Sequence, residues 1–194
     1  KPVVARRTSP TNMGLYLLST VTARDFGWAG TLQTLERMET TLDSMSRLQR
    51  HRGHFFNWYA TEDMRALEPA YVSAVDSGNL AGHLIALANA CEEWLDQPQA
   101  PHARQGLHDN LILARQAIAA LPAANGERGQ PLLGVLDEIA TQIGDAQALD
   151  TRSATLRQLA EKAVRVTQEI SPSATDDEDA QALHFWINAL CQTL

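Results

Sequence analysis

The sequence predicts a mainly α protein built of helical hairpins, with at most a small β-hairpin near residues 54–75. Three observations carry this reading. Apolar residues recur at three-and-four spacing through most of the chain, the period of an amphipathic helix. Gly- and Pro-containing breaks separate these stretches. Only His54-Phe-Phe-Asn-Trp-Tyr59 is strongly aromatic without a helical stripe. At 194 residues, 44% hydrophobic and 20% charged, the chain has the size and composition of one ordinary globular domain.

The first helix is expected within Arg7 to Arg24. Ser9 can cap it, and Pro10 suits the first helical position, where its missing N–H costs nothing. Met13 to Val21 is apolar on almost every side, the pattern of a helix buried all round. Gly27 and Gly30 break the chain, with Trp28 expected to pack over the helix end. A second helix is expected from Thr31 to Arg50. Leu35, Met38, Leu42 and Met45 mark its apolar face, and Glu36, Arg37, Glu39, Asp43 and Arg47 its wet one. The aromatic run from His54 and a second extended piece, Tyr71 to Val75, suggest a hairpin with TEDMRALE at its tip. Asp76-Ser-Gly-Asn79 is expected to open a third helix with Leu80, Leu84, Leu87, Cys91 and Leu95 on one face. Its first half is again apolar nearly all round.

Beyond Pro98 the pattern becomes plainly amphipathic. Leu107, Leu111, Ala114, Ile118 and Leu121 stripe a fourth helix, and the loop PAANGERGQ follows. Leu132, Leu136, Ile139 and Ile143 stripe a fifth, ended by Gly144. Leu156, Leu159, Ala163, Val166 and Ile170 stripe a sixth, stopped by Ser171-Pro172. Thr175 with Glu178 reads as a capping box for a seventh helix carrying Leu183, Trp186, Ile187, Leu190 and Leu194. The chain divides by character into residues 1–96, rich in chemistry-bearing side chains, and 97–194, a set of amphipathic helices of the same domain.

A net charge of −7 argues against nucleic acid, which needs clustered Lys and Arg. No apolar run has the length of a membrane span. Cys91 and Cys191 lack metal-ligand spacing and sit in apolar helical patterns, so they read as buried, reduced thiols rather than a disulfide or metal ligands. No metal or cofactor is expected. The Gly-rich phosphate loop, GxSxG and HExxH patterns do not occur, and no pair of carboxylates can be assembled into a glycosidase-type site. The chain begins without Met and reads as an excised piece of something longer.

Chemistry concentrates in His51 to Leu84. His54, Asn57, Trp58, Tyr59, Asp76, Ser77, Asn79 and His83 crowd one connection and the helix start after it. Aromatic faces beside hydrogen-bonding groups suit a polar, ring-shaped ligand such as a sugar. Asp76 reads as an N-cap, a ligand contact, or a group in acid/base chemistry. Asn57-Trp58-Tyr59 reads as core filling or as a pocket floor. His54 and His83 read as structural histidines or ligand contacts. Arg7, Thr8 and Asn12 lie at the start of the first buried helix, as loop and cap groups or as contacts. The two buried helices are expected to aim their N-termini, with the aromatic turn between them, at one sugar-sized hollow.

Two long phrases, PVVARRTSPTNMGLYLLSTVTARDFGW and RGHFFNWYATEDMRALEPAYVSAVDSGNLAGHLIALANACEE, resemble the middle, glucoamylase-like region of cyclic β-1,2-glucan synthases, very large bacterial inner-membrane proteins. The matching residues are Arg7 to Asn12, Gly14 and Tyr16, then Arg52, Gly53, His54, Asn57, Trp58 and Tyr59, and Asp76 to Leu80, Gly82 and His83. The resemblance implies a partial (α/α)6-type helical barrel and a transglycosylation that closes linear β-1,2-glucan into a ring. It carries the matching residues over as pocket and scaffold positions only; Asp76, on the reading of the residues above, is the candidate catalytic carboxylate, unless the true carboxylates lie outside the chain. It implies substrate contacts from Arg7, Thr8, Asn12, Tyr16, Arg52, His54, Asn57, Trp58, Tyr59, Ser77, Asn79 and His83. The implied partners are β-1,2-glucan and the remainder of the parent protein, with self-association through exposed barrel faces. The implied location is the cytoplasmic side of the inner membrane, in a membrane-anchored parent of which this piece is a soluble, inactive part. The alternative is a non-catalytic glucan-binding or structural helical module.

Overall fold

Ser9 and Pro10 start the first helix as their chemistry dictates. Helix α1 spans Pro10–Asp25, and Ser9 Oγ accepts the Asn12 N–H at 3.3 Å, satisfying a donor the helix itself cannot. The computed structural model describes residues 4–124, 126–144, 153–172 and 177–193. Among these residues the helices continue with α2 (Thr31–Arg47), α3 (Ala74–Asp96), α4 (Ala103–Ala120), α5 (Gln130–Gly144), α6 (Ser153–Ile170) and α7 (Glu178–Thr193). Four two-residue strands, β1 (Arg7–Thr8), β2 (Arg50–His51), β3 (His54–Phe55) and β4 (Tyr59–Ala60), complete a mainly α protein. The described residues form two compact units, one within Lys1–Ala23 and Leu32–Gln99, the other within Arg24–Thr31 and Ala100–Leu194.

In the first unit, Met13 and Leu17 of α1, Met38 and Met45 of α2, Leu48, Tyr59, and Leu80 and Leu87 of α3 form one apolar cluster. Each large aliphatic side chain so buried contributes ~1.5–3 kcal/mol of transfer free energy. On α2 the buried line runs through Thr34, Met38 and Met45. Leu35 and Leu42, expected on that face, are exposed at its edges.

Two expectations fail here. Helices α1 and α3 are not buried all round. On α3 only Leu80 and Leu87 are buried, while Val75, Ile85 and Leu95 are 72%, 65% and 84% exposed. On α1, Leu15 and Tyr16 face outward. The physical reason is the supply of partners: within this unit α2 and the connecting segments cover one stripe of each helix.

The second is the partner expected for the aromatic run. Tyr71 to Val75 does not pair as a strand with His54 to Tyr59, because α3 already begins at Ala74. Ser73 is its N-cap and accepts the Asp76 N–H at 3.1 Å, the arrangement a Ser-x-x-Asp sequence favours. Within residues 54–75 the pairing is shorter: Tyr59 bridges Ala66 antiparallel, with Ala60 N donating to Arg65 O at 3.0 Å and Leu67 N to Trp58 O at 2.9 Å. A further hairpin lies earlier, β2 against β3, with Arg50 opposite Phe55 and His51 opposite His54. Its tip is Arg52-Gly53 at φ 51° and 87°, both in the region a tight two-residue hairpin turn demands. β4 also pairs with β1, setting Thr8 opposite Tyr59 and Arg7 opposite Ala60. An ion pair between Arg6 and Glu62 and the bond from Thr61 N to Arg6 O at 3.1 Å extend this tie.

In the second unit α4 packs on α5 and α7, and α6 on α5 and α7, so four helices enclose one core. Leu107, Leu111 and Ile118 meet Leu132, Leu136 and Ile139 there, with Leu156, Ala163, Leu183, Ile187 and Leu190. These are the striped residues the 3.6-residue period singles out. Asp177 caps α7, its Oδ1 accepting from Asp179 N at 3.0 Å; Thr175 of the expected capping box lies outside the described residues. Cys91 and Cys191 are free thiols, each half-buried, and burial pushes the Cys191 thiol pKa up. Among the described residues, no helix is long and apolar enough to cross a membrane.

Candidate functional site

The N-termini of α1 and α3 share one carboxylate. Asp76 occupies the first turn of α3, a position where negative charge complements the helix dipole. Its Oδ1 accepts the Thr11 hydroxyl at 2.7 Å, and the hydroxyls of Ser73 and Ser9 and the Thr11 backbone N–H also donate to it. Ser9 and Thr11 belong to the opening turn of α1. A residue three positions inside one helix thus completes the start of another.

Asn57 links this carboxylate to the aromatic turn. The Trp58 indole N–H can only donate and an ionised carboxylate can only accept. The Asn57 amide oxygen therefore faces Trp58 Nε1 and the Tyr71 hydroxyl, each at 2.6 Å, and its nitrogen donates to Asp76 Oδ2 at 3.0 Å. The Asn57 backbone N–H donates to Tyr71 O at 2.8 Å, so the buried Asn57 is held from both ends. Arg7 places its guanidinium over the Trp58 ring, 4.4 Å from the centroid, a cation–π contact. Asn79, one turn along α3, donates its amide to Thr11 Oγ1 at 3.2 Å. Arg7, Trp58, Asn57, Asp76, Thr11 and Asn79 form one continuous chain of contacts.

The hydrogen bonds decide what Asp76 can do. Thr11 first and Ser73 next hold its pKa below the ordinary Asp value, outweighing the partial burial that pushes the other way. A carboxylate kept ionised and surrounded by donors is a poor general acid at neutral pH. It is well suited to fixing the orientation of the groups around it. The members that reach solvent are Arg7, Asn79 and Tyr71, with Trp58 half-buried beside them.

The remaining sequence candidates fall into three places. Asn12 and Tyr16, one turn apart and both exposed, share a face of α1 near its start. His83 packs against Gly14, where a Cβ would run into the imidazole. Its Nδ1 and the Ser77 Oγ are buried without a hydrogen-bond partner among the described residues. Thr8 is half-buried opposite Tyr59.

Arg52 and His54 sit exposed on the β2–β3 hairpin, and no hydrogen bond joins them to Asp76 among the described residues. Tyr59 is 0% exposed. Its hydroxyl accepts from Phe56 N at 2.7 Å and donates to Gln49 O at 2.6 Å, so both its roles are spent on the core, and burial raises its pKa.

Thr11, a pocket or scaffold position in the resemblance, is absent from the expected substrate contacts, and Ser73 and Tyr71 are absent from the expected site altogether. The spacing of Ser73 and Asp76 was a legible signal for the first turn of α3. Nothing local marks Tyr71, whose role depends on where Asn57 lies. Among the described residues no group of three or more His, Cys, Asp or Glu is placed to hold a metal ion.

No family model matches the chain. Over 125 residues, 63% of this chain, it is 49% identical to the cyclic beta-(1,2)-glucan synthase NdvB of Rhizobium meliloti (strain 1021), and the match spans 4% of that protein's length. The resemblance to cyclic β-1,2-glucan synthases, carried by the phrases Pro2 to Trp28 and Arg52 to Glu93, is thereby borne out over 63% of the chain.

Proposed function

We propose that the first unit supplies a glucan-contacting surface to the glucan-processing part of a cyclic β-1,2-glucan synthase, and that the chain alone does not carry the transglycosylation. The observation that carries this reading is the linked set Arg7, Trp58, Asn57, Asp76, Thr11 and Asn79. It sets an aromatic ring, a guanidinium and an amide beside one another at two helix starts. Pyranose rings offer C–H faces to aromatics and hydroxyls to such donors and acceptors. Asp76 holds the set in register and is not the acid of the reaction. Its saturation by donors favours a binding role over direct chemistry.

The exposed apolar stripe of α3 supports a place inside a larger helical assembly. Val75 and Ile85 lie outward, and Gly78 and Gly82 have open space where a side chain would stand. Further helices of the parent protein cover this stripe. In their absence the chain self-associates through it, which sedimentation of the chain with and without Val75→Ser and Ile85→Ser measures directly. The parent sits at the cytoplasmic face of the bacterial inner membrane.

Titration with linear β-1,2-gluco-oligosaccharide tests the site. Trp58→Ala and Asn79→Ala, both folded by circular dichroism, weaken binding by about tenfold or more. In the complete synthase, Asp76→Asn lowers binding and cyclisation together. Loss of cyclisation with undiminished binding would instead make Asp76 a direct participant in the chemistry.

A further inference from the structure

A second aromatic surface lies in the other unit, on residues that the candidate site does not use. Phe26 and Trp28 stack at 5.0 Å between centroids and 24° between planes. Phe26 stacks in turn with His102, at 6.1 Å and 25°. Phe26 and Trp28 remain 47% and 49% exposed, although large aromatics normally gain most from burial. Trp28 was expected to pack over a helix end, and it does not disappear there.

The rings are held rigidly. A Cβ on Gly106 of α4 would collide with the Gly27 main chain, one on Gly27 with His102 O, and one on Gly30 with the Gln192 carbonyl. His102 N donates to Asp25 O at 3.2 Å. Thr193 Oγ1 reaches Trp28 O at 3.4 Å, and the buried Asn110 donates to Thr193 Oγ1 at 3.2 Å. A loop clamped between α4 and the end of α7 presents its rings without having to order them on binding, which removes a cost that a mobile loop would meet.

Polar groups line the edge of the row. Trp28 Nε1 donates to Asp109 Oδ2 at 3.2 Å, and Gln105 Nε2 to Asp109 Oδ1 at 2.9 Å. This fixes a half-buried carboxylate that can accept more hydrogen bonds than these two. The exposed His102 makes no side-chain cap bond, so its imidazole is available as donor or acceptor.

We propose that Phe26, Trp28 and His102, edged by Asp109 and Gln105, form a second contact platform for a β-linked glucan chain. The identification of the ligand rests on the glucan reading above. A neutral sugar suits the surface. Its C–H faces lie on the rings, its hydroxyls reach Asp109 and His102, and the carboxylate together with a net charge of −7 disfavours anionic ligands. The platform belongs to the unit that does not carry Trp58, and gives this protein a second place at which to hold glucan.

The indole N–H resonances of the 194-residue chain separate this inference from the first. Linear β-1,2-gluco-oligosaccharide shifts the Trp28 signal saturably. Trp28→Ala weakens the response at the His102 and Gln105 amides by about tenfold or more, and Trp28→Phe restores most of it. Circular dichroism checks each variant; if Trp28→Ala does not fold, Trp28→Phe and His102→Ala carry the comparison. If Trp58 shifts while Trp28 stays still, the platform is refuted and the first site survives. If Trp28 shifts and Trp58 does not, the platform stands alone. If neither moves, both fail. A Trp28 signal that responds to protein dilution and not to glucan would show a protein contact instead, and would overturn the proposal.

Discussion

Thr11 and Asp76 are 65 residues apart in the chain and hydrogen-bonded at 2.7 Å. One hydroxyl in the first turn of α1 donates to the carboxylate of α3 and accepts from the exposed Asn79. The measurable consequences follow from how much of the local structure converges on this pair.

The acid limb of stability reports the Asp76 charge. Its folded pKa lies below the ordinary value of 3.8, so folding favours the ionised form. The stability this provides is complete above 3.8 and is lost as pH falls through the lower folded value. Thermal melts of Asp76→Asn followed down the acid range therefore show a flatter pH dependence than the unaltered chain. Parallel curves would mean that the carboxylate is not held as described.

Replacing Thr11 by Val keeps the shape and removes both hydrogen bonds. A bond to a charged acceptor is worth about 1.5–3 kcal/mol, so urea unfolding of Thr11→Val should show a loss of that order. The Asp76 pKa rises toward its ordinary value, which carbon-detected NMR of the carboxyl group reads directly.

Gly14 and His83 set the approach of α1 to α3. Gly14→Ala forces a Cβ into the imidazole, and overpacking of this kind costs about 1–3 kcal/mol. His83→Ala opens the space again, so the double variant is more stable than the sum of the single losses implies. A double-mutant cycle with no coupling would place the strain elsewhere.

Tyr59 separates a core from a pocket floor. Tyr59→Phe strands the Phe56 N–H and the Gln49 carbonyl, a penalty of about 1–3 kcal/mol where such groups are buried. Because the ring is 0% exposed, glucan titration of the folded variant is unchanged. A specific loss of binding at equal stability would reinstate Tyr59 as a sugar contact.

The helical stripes were readable because they depend on neighbours three and four residues away. Leu107, Leu111 and Ile118, or Leu132, Leu136 and Ile139, can be placed without knowing the rest of the chain. Ser9-Pro10 likewise fixes its own helix start. The strand expected over Tyr71 to Val75 gives way to a helix start because the Ser73-to-Asp76 cap fixes α3 there, while the Arg52-Gly53 turn makes a hairpin of its own.

The sequence by itself determined the α class, the helix stripes and the concentration of chemistry between His51 and Leu84, since each of these is written in short-range spacing. Only the tertiary structure decided which of those residues act together. It joined Arg7, Trp58, Asn57 and Asp76, sent Tyr59 into the core, left Arg52 and His54 exposed on the β2–β3 hairpin, and turned half of α3 to solvent. The reason is that a hydrogen bond such as Thr11 to Asp76 depends on two segments meeting across 65 positions, and the local pattern of neither segment encodes the meeting.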